Sequence, residues 1–242
     1  MSALKFNNFT NRLGRLLYPW SCQICHGSCG ERAGICANCY PMLPWCEASC
    51  AVCGLPIGAE LGTSTICGVC QQRKPYFDRL FAPLWYEAPI NEFIVNLKYS
   101  NKWENISLLM ELFLNTYSNP RPDALLLSVP SHSNRIRTRG FSPVQEILRE
   151  LRRSIKIEYR ANALKRIRAT ETQTGKTKRE RRRNVNKAFE VTQNLRGKNI
   201  VLFDDVVTTG ATVNELSRCL KKQGVTYVEV WAIARTKRNI NN

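Results

Sequence analysis

The sequence predicts an α/β domain, with a mostly parallel sheet flanked by helices, that follows a small cysteine-rich module. After residue 75, short apolar runs with strand character alternate with segments of helical periodicity, which is the pattern of an α/β fold. Before that point the chain is poor in periodic apolar residues, and ten of its eleven cysteines precede residue 71. We therefore place an N-terminal helix at 1–20, the cysteine-rich module at 21–74 and the α/β domain at 76–242.

The composition favours a polyanionic partner. The 242 residues include 36 Lys and Arg against 19 Asp and Glu, a formal net charge of +17. Such a field attracts nucleic acid, anionic lipid and phosphorylated metabolites alike, so the charge does not choose among them. The sequence has neither an apolar run of about 18 residues, as a membrane span requires, nor a signal-peptide pattern. We expect a cytoplasmic protein without a membrane span.

The first 20 residues carry apolar side chains on an approximate helical period, and Pro19 ends the segment. The apolar positions are Phe6, Phe9, Leu13, Leu16 and Leu17. This pattern predicts a short amphipathic helix. We expect it to pack on a neighbouring module, and attachment to a lipid surface is the alternative.

Eight cysteines form four pairs in which two residues separate the thiols. The first set is Cys22, Cys25, Cys36 and Cys39, and the second set is Cys50, Cys53, Cys67 and Cys70. This spacing lets both sulfurs of a pair contact one tetrahedral ion, and two pairs complete its coordination, as in structural zinc sites. Zinc would also supply the folding free energy that a segment without a core lacks. We predict a structural role without catalysis; the number of ions stays open, and reactive or disulfide-forming thiols are the alternative.

The α/β domain shows four strand-like runs and four helical segments. The strands are predicted at 80–86, 124–129, 199–203 and 225–234. The helices are predicted at 90–99, at 103–117, after Ser142 and after Thr212. Ser142, Pro143 and Gln145 provide an N-cap, a proline at the first helical position and a capping partner, so that helix start is well specified.

The most informative stretch begins where the strand at 199–203 ends. The apolar run leads into two acids, Asp204 and Asp205, and then into a turn that opens a helix. The turn comprises Thr208, Thr209, Gly210, Ala211 and Thr212. Its N–H groups and hydroxyls, at the positive end of the helix, suit a phosphate, and the paired carboxylates suit the vicinal hydroxyls of a ribose. An acidic turn before a capped helix is the alternative.

A second unusual region is the basic segment 165–187, which has ten Lys and Arg against two Glu, a net charge of +8. Charge runs of this kind form either a solvated helical face or a flexible loop over a polyanion. In the second case, backbone contacts to single-stranded DNA are electrostatically reasonable, and sequence-specific reading is not indicated. The candidate contact residues are Lys178, Arg179, Arg181, Arg182 and Arg183.

These motifs together resemble one family. Segment 201–212 resembles the diphosphoribosyl-binding signature of type I phosphoribosyltransferases, and the chain from Cys22 to Arg235 resembles the ComF family of competence-associated proteins. The resemblance also includes Tyr86, Leu97-Lys98-Tyr99, Val129-Pro130 with His132, Arg135, Arg139-Gly140-Phe141, Gln173, Arg181, Asn184 and Ala188-Phe189. Two positions depart from the family pattern: Ser142-Pro143 replaces Asn-Gln, and Lys176 replaces Leu.

The resemblance implies a type I phosphoribosyltransferase-like fold after a double zinc ribbon. It implies that Asp204 and Asp205 hold ribose hydroxyls while the turn at 208–212 holds the 5′-phosphate. The loop after Pro130 would face the pyrophosphate of phosphoribosyl diphosphate, normally accompanied by Mg²⁺. Arg135 and Arg139 are the expected cations there, because a guanidinium matches phosphate oxygens.

Three functions are compatible with this pattern. The resemblance implies a competence protein of natural transformation that acts on or escorts incoming single-stranded DNA and carries a phosphoribosyl pocket. An active phosphoribosyltransferase with an unknown acceptor is the second; purine-salvage transferases carry an acid where this chain has Thr208, so purine salvage is disfavoured, and no catalytic residue is assigned. A zinc-ribbon adaptor that docks on DNA-uptake or recombination proteins is the third.

Overall fold

A computed structural model of the chain describes residues 21–29, 34–58, 65–100, 102–117, 121–130, 142–167 and 188–237. The helix predicted at 1–20 lies outside these residues. The chain divides into two compact units, Met1–Leu43 and Pro44–Asn242. This division falls between the two cysteine sets, whereas the change in composition falls near residue 75. The second cysteine set therefore belongs to the same compact unit as the α/β domain.

The described part of the first unit consists of tight turns around its cysteines. The backbone N–H of Cys22 donates to the carbonyl oxygen of Gly27 at 2.7 Å. Ser21 and Ser28 form an isolated antiparallel bridge. A 3₁₀ helix covers Tyr40–Met42, immediately after the last cysteine of the first set. These turns position the thiols through backbone hydrogen bonds.

The second cysteine set begins the larger unit with similar turns. The backbone N–H of Cys50 donates to the carbonyl oxygen of Leu55 at 2.8 Å. A short helix, α1, covers Gly68–Gln72. The segment packs on the α/β domain, because the N–H of Leu80 donates to the carbonyl oxygen of Val52 at 2.8 Å and both side chains lie in one buried hydrophobic cluster. The second cysteine set and the α/β domain thus share a core.

The larger unit is built on a parallel sheet. Its described strands are β1 (Arg79–Phe81), β2 (Leu84–Trp85), β3 (Ala124–Ser128), β4 (Glu158–Tyr159), β5 (Leu164–Arg166), β6 (Phe189–Val191), β7 (Asn199–Val207) and β8 (Tyr227–Arg235). The main sheet runs β1-β8-β7-β3-β4, with β2 also paired to β8, and all its pairings are parallel. Strands β5 and β6 form a separate antiparallel pair.

Four longer helices accompany the sheet. They are α2 (Ile90–Tyr99), α3 (Glu104–Leu114), α4 (Pro143–Ser154) and α5 (Ala211–Lys222). Each buries one apolar face; in α4, for example, Val144, Ile147, Leu148 and Leu151 are buried while the opposite face carries charge. This amphipathic spacing is what the helical periodicity of the sequence predicts.

Most predicted elements are confirmed. The helix predicted at 90–99 matches α2, and those expected after Ser142 and Thr212 match α4 and α5. Strand β7 extends four residues beyond its predicted end, to Val207. The strand predicted at 80–86 instead divides into β1 and β2. The short strands β4, β5 and β6 were not predicted from the sequence.

One detail of the α4 start is a correction. Ser142 is the N-cap and Pro143 the first helical residue, as predicted, but Ser142 makes no side-chain capping hydrogen bond. The capping role predicted for Gln145 is therefore wrong. Its Nε2 donates to Ser128 Oγ at 3.1 Å, and its Oε1 accepts from the Tyr159 hydroxyl at 2.9 Å. Gln145 thus joins α4 to β3 and β4.

The two central strands lie in the core of the unit. Phe203 of β7 and Trp231 of β8 are fully buried, and Phe113 of α3 packs against both, with ring centroids 6.1 and 5.8 Å away. Strands buried on both faces are expected at the centre of a parallel sheet. Within the described residues, no helix has the length and apolar character needed to cross a membrane.

Candidate functional site

A cavity of about 290 Å³ lies at the carboxyl end of β7. The end of β7, the turn and the start of α5 supply residues 204–213 of its wall. Helix α2 contributes Lys98 and Tyr99, and β5 contributes Arg166. Binding crevices of parallel sheets lie at this edge, where the strands end. The structure thus brings the paired acids and the glycine turn to one cavity.

The two acids are held by short polar contacts. The Oδ1 atom of Asp204 accepts a hydrogen bond of 2.9 Å from the backbone N–H of Asp205. The Oδ2 atom of Asp205, a residue that is only 8% exposed, lies 2.7 Å from the Lys98 ammonium nitrogen. Each carboxylate therefore has one oxygen engaged by the protein.

The charges at the acid pair depend on one another. Burial, together with the neighbouring Asp205 carboxylate, raises the pKa of Asp204 to about 8, while Lys98 and Arg166 act in the opposite direction. Burial opposes the charge of Lys98, but the Asp205 carboxylate raises the pKa of that ammonium group. Burial thus favours the protonated form of Asp204, while the Asp205 carboxylate favours the charged form of Lys98.

The turn after β7 depends on a glycine in the left-handed conformation. Gly210 has φ of 77° and is the N-cap of α5. A side chain would be strained there, since L-residues disfavour positive φ. The Thr209 hydroxyl accepts a hydrogen bond of 3.3 Å from the N–H of Ala211. In the described part of the chain, the N–H groups of Thr208, Gly210 and Thr212 have no protein acceptor. These donors suit an anion at the helix start.

The sequence does not indicate that three of the cavity residues belong to the site. Lys98 and Tyr99 belong to a family motif, and Arg166 belongs to the basic segment. The guanidinium of Arg166 lies over the Phe189 ring, 5.4 Å from its centroid, which fixes it where β5 pairs with β6. The apolar periodicity of 90–99 places Lys98 on a helix but does not say which strand end that helix approaches.

Both cysteine sets form compact four-thiol clusters. Within each set the four sulfur atoms lie within 4.8 Å of one another. The Sγ atoms of Cys25 and Cys36 are 3.7 Å apart, as are those of Cys53 and Cys67. Four convergent sulfurs at such distances fit one tetrahedral zinc ion, with no open position for water.

The thiols of each cluster differ in how readily they ionise: hydrogen bonding to Cys36 raises the pKa of Cys39, and burial raises the pKa of Cys53 and of Cys70. Burial opposes ionisation of Cys22, but hydrogen bonds from backbone N–H groups lower its pKa to about 6. Cys50 shows the same balance in the second cluster, with a pKa of about 7. Because metal ligands must be thiolates, Cys22 and Cys50 give each cluster one thiol that ionises near neutral pH and can bind a metal ion first.

The other cysteines stand apart from the two clusters. Burial raises the pKa of Cys46 to about 12 and also raises that of Cys29. Cys219 is only partly buried, with its Sγ 3.9 Å from the carbonyl oxygen of Phe189, and burial raises its pKa. Their thiols are thus held neutral, unlike those of Cys22 and Cys50.

Several predicted site residues lie outside the described residues. These are Arg135 and Arg139 of the expected pyrophosphate loop, and Lys178, Arg179, Arg181, Arg182 and Arg183 of the basic segment. Of that segment, the described part is residues 165–167. Their roles stay predictions.

Comparisons with known proteins identify both parts of the chain. Residues 13–71 match the double zinc ribbon domain, and residues 136–239 match the phosphoribosyl transferase domain. A DNA utilization protein, YhgH, of Escherichia coli K12 is 34% identical over 210 residues, covering 84% of this chain and 91% of that protein. The chain belongs to the ComF family.

Two competence proteins are also similar to this ComF-family chain. Competence protein F of Haemophilus influenzae is 30% identical over 230 residues, covering 90% of this chain and 98% of that protein. Competence protein ComFC of Bacillus subtilis is 28% identical over 142 residues, covering 57% and 56%. The fold is type I phosphoribosyltransferase-like after a cysteine-rich zinc-ribbon region, as the sequence predicts.

Proposed function

We propose that the chain is a competence protein that acts on or escorts incoming single-stranded DNA and binds a phosphoribosyl ligand in the β7 cavity. One observation carries the ligand proposal. The paired acids, the glycine turn and two cations line a single cavity of about 290 Å³, and turn N–H groups have no acceptor in the described residues. This combination offers donors for a phosphate beside acceptors for sugar hydroxyls.

The acid pair also favours a ribose over a deoxyribose. Two adjacent carboxyl groups are suited to vicinal hydroxyls, and DNA lacks the 2′-hydroxyl. We therefore assign the cavity to a free ribonucleotide-type metabolite, phosphoribosyl diphosphate in the first instance, and assign DNA to the basic surface outside it. A site that uses a 2′-hydroxyl distinguishes the two sugars strongly, because its acceptors lose a partner otherwise.

Calorimetric titration with phosphoribosyl diphosphate and Mg²⁺ tests the ligand proposal. We expect binding to the native chain and loss of at least about tenfold in affinity when Asp204 and Asp205 are both changed to Asn. Glu190→Gln, on an exposed position of β6, removes a carboxylate away from the cavity and should leave affinity unchanged. A double variant that binds as tightly as the native chain contradicts the proposal.

The DNA role is supported by the names of the relatives and by charge. The relatives are a DNA utilization protein and two competence proteins, and this chain carries a net charge of +17. Fluorescence anisotropy with a single-stranded oligonucleotide, repeated over a range of salt concentrations, measures how many phosphate contacts the chain makes. Changing Arg181, Arg182 and Arg183 to Ala should reduce the slope of log K against log salt by about 2, since each single-strand phosphate contact contributes about 0.7.

A matched control removes the same charge elsewhere. Lys74, Lys156 and Lys198 are exposed and lie outside the basic segment. Changing all three to Ala lowers the net charge equally, and we expect a much smaller change in slope. Equal effects of both triple variants would show that only the overall field matters, and DNA binding indifferent to salt would contradict the proposal.

An active phosphoribosyltransferase is the second candidate. The observation in its favour is Asp204, an acid beside the expected sugar position whose pKa burial raises to about 8, since proton-transfer groups work best with a pKa near the working pH. Transfer of the phosphoribosyl group from phosphoribosyl diphosphate to water or to an added nucleophile releases pyrophosphate, and we expect Asp204→Asn to abolish this release. Slow release unaffected by that change would indicate binding without transfer.

Docking on DNA-uptake or recombination proteins is a further part of the proposal. Its test needs a deletion that respects the compact units. Removing residues 1–43 keeps the larger unit whole, whereas removing 1–74 cuts into its core. A partner that binds through the first unit should be lost with the shorter deletion while binding of phosphoribosyl diphosphate persists.

A further inference from the structure

Lys98 occupies a special position in the cavity. It comes from α2, far in sequence from β7, yet its Nζ lies 2.7 Å from Asp205 Oδ2. The side chains are only 20% and 12% exposed, so water screens the pair poorly. Lys98 also lines the cavity, which places its charge beside the expected ligand.

This arrangement does not fit a divalent cation held directly by the acid pair. Mg²⁺ requires near-octahedral oxygen ligands at about 2.0–2.1 Å and usually takes one or two carboxylates. Here the ammonium group contacts one oxygen of Asp205, and the backbone N–H of Asp205 contacts one oxygen of Asp204. A metal ion on the same carboxylates would also be repelled by Lys98 and by Arg166 in the cavity wall.

We propose that Lys98 takes the place of a divalent cation at the acid pair, so that the cavity binds its phosphoribosyl ligand without Mg²⁺. The ammonium group orients the Asp205 carboxylate for the sugar hydroxyls and offsets its charge beside an anionic ligand. Lys98 is thus a positioning residue, and it adds a positive charge to the phosphate donors of the turn. This inference rests on the proposed function, because it concerns the same ligand.

The charges around the site support a metal-free pocket. The ionisable side chains in the cavity wall come from several elements: Tyr86 before α2, Lys98 and Tyr99 on α2, Arg166 on β5, and the acid pair on β7. Lys98 and Arg166 together match the two acids in charge, so the described ionisable groups carry no net negative charge even with both carboxylates ionised. The acid pair therefore needs no metal ion to neutralise it before an anionic ligand arrives.

Calorimetry with phosphoribosyl diphosphate, in parallel solutions containing Mg²⁺ or excess EDTA, tests the inference on the full chain. We expect the native affinity in EDTA to remain within about tenfold of that in Mg²⁺, and Lys98→Met to weaken binding in EDTA by about tenfold or more. Lys98→Arg keeps the charge and should retain most of the affinity in EDTA. Lys102→Met, an exposed lysine four residues later that does not line the cavity, is the matched control.

The outcomes separate this inference from the proposed function. Native binding that occurs only with Mg²⁺, or equal EDTA affinity of Lys98→Met and the native chain, overturns the role of Lys98 and leaves the ligand proposal standing. Absence of native binding in both solutions overturns both. If Lys98→Met fails to fold, as judged by circular dichroism, the native comparison and Lys98→Arg still decide.

Discussion

The Nη1 atom of Arg235 donates a hydrogen bond of 2.8 Å to the carbonyl oxygen of Val207, the residue that ends β7 just before the glycine turn. Its Nε donates to the carbonyl oxygen of Cys53 at 3.3 Å. Arg235 is 3% exposed. A single buried guanidinium thus joins the second cysteine cluster to the strand that carries the candidate site.

We predict that Arg235→Met destabilises the chain by about 1–3 kcal/mol, because a buried carbonyl oxygen loses its donor. The carbonyl oxygen of Val207 still accepts from the N–H of Thr236 at 3.1 Å. Most of the lost stability should therefore come from the carbonyl oxygen of Cys53. Urea unfolding measures the change, with Arg73→Met on the exposed side of the cysteine segment as control. Equal stability of both variants and the native chain would show that the buried contacts add nothing.

Gly210→Ala should lower the free energy of unfolding by about 1–2 kcal/mol, since an L-residue is strained at φ of 77°. An added Cβ meets no atom closer than 4.0 Å, so the loss comes from the backbone and not from a clash. Gly197 has φ of 73° and an open environment, and it lies outside the cavity wall. Gly197→Ala is therefore a control with the same strain.

The two glycine variants differ in the expected ligand response. Relief of strain at Gly210→Ala would move the turn N–H groups, so binding of phosphoribosyl diphosphate should weaken in that variant and not in Gly197→Ala. Calorimetry on both variants measures this difference. Parallel losses in affinity would mean that the turn acts on the ligand only through overall stability.

Local motifs explain what the sequence could predict. The thiol clusters follow from two-residue gaps, and the glycine turn in the cavity wall follows from a strand, two acids and a helix start that are contiguous in the chain. Both depend on short-range geometry. Amphipathic periodicity likewise predicts α2 and α4 because each buries one face against the sheet.

Long-range contacts explain what the sequence could not predict. Lys98 and Arg166 reach the acid pair only because α2 and β5 approach the end of β7. Strands β5 and β6 have three residues each, too few to show a period. Composition does not predict the packing of Val52 on Leu80 either. The cysteine segment has few apolar residues of its own, and its core is completed by residues of the α/β domain.

The raised pKa of Asp204 predicts a pH dependence of stability. Because its folded pKa of about 8 exceeds the unfolded value near 4, the folded state holds a proton that the unfolded state releases. The contribution of Asp204 to the free energy of unfolding is fully present below about pH 4 and declines as pH rises to about 8. Asp204→Asn lacks this loss, so its stability relative to the native chain should rise with pH by at most about 1.4 kcal/mol per unit.

Urea unfolding of both chains between pH 5.5 and 8 measures this difference, and subtraction removes the titration of the thiols. Asp205→Asn provides the contrast, because it leaves the Lys98 ammonium without its carboxylate and should destabilise the chain by about 1–3 kcal/mol at pH 7. A difference between Asp204→Asn and the native chain that does not vary with pH would show that Asp204 is ionised throughout.

Each four-thiol cluster should hold its own zinc ion, giving two per chain by elemental analysis, because each set of sulfurs converges separately. Cys67→Ser should leave one ion and lower the melting temperature by at least about 10 °C, since a thiolate-zinc site contributes on the order of 10 kcal/mol. The effect should reach the whole larger unit, because Cys50, Cys53 and Cys70 belong to its hydrophobic cluster.

Cys46→Ser is the matched control for the zinc prediction. Cys46 lies in the same compact unit but outside both clusters, so the variant should keep two ions and melt within a few degrees of the native chain. Differential scanning calorimetry follows the melting of each variant. Two ions retained by Cys67→Ser, or one ion in the native chain, would contradict separate sites, and an unchanged melting temperature after loss of an ion would show that the second cluster does not support the α/β core.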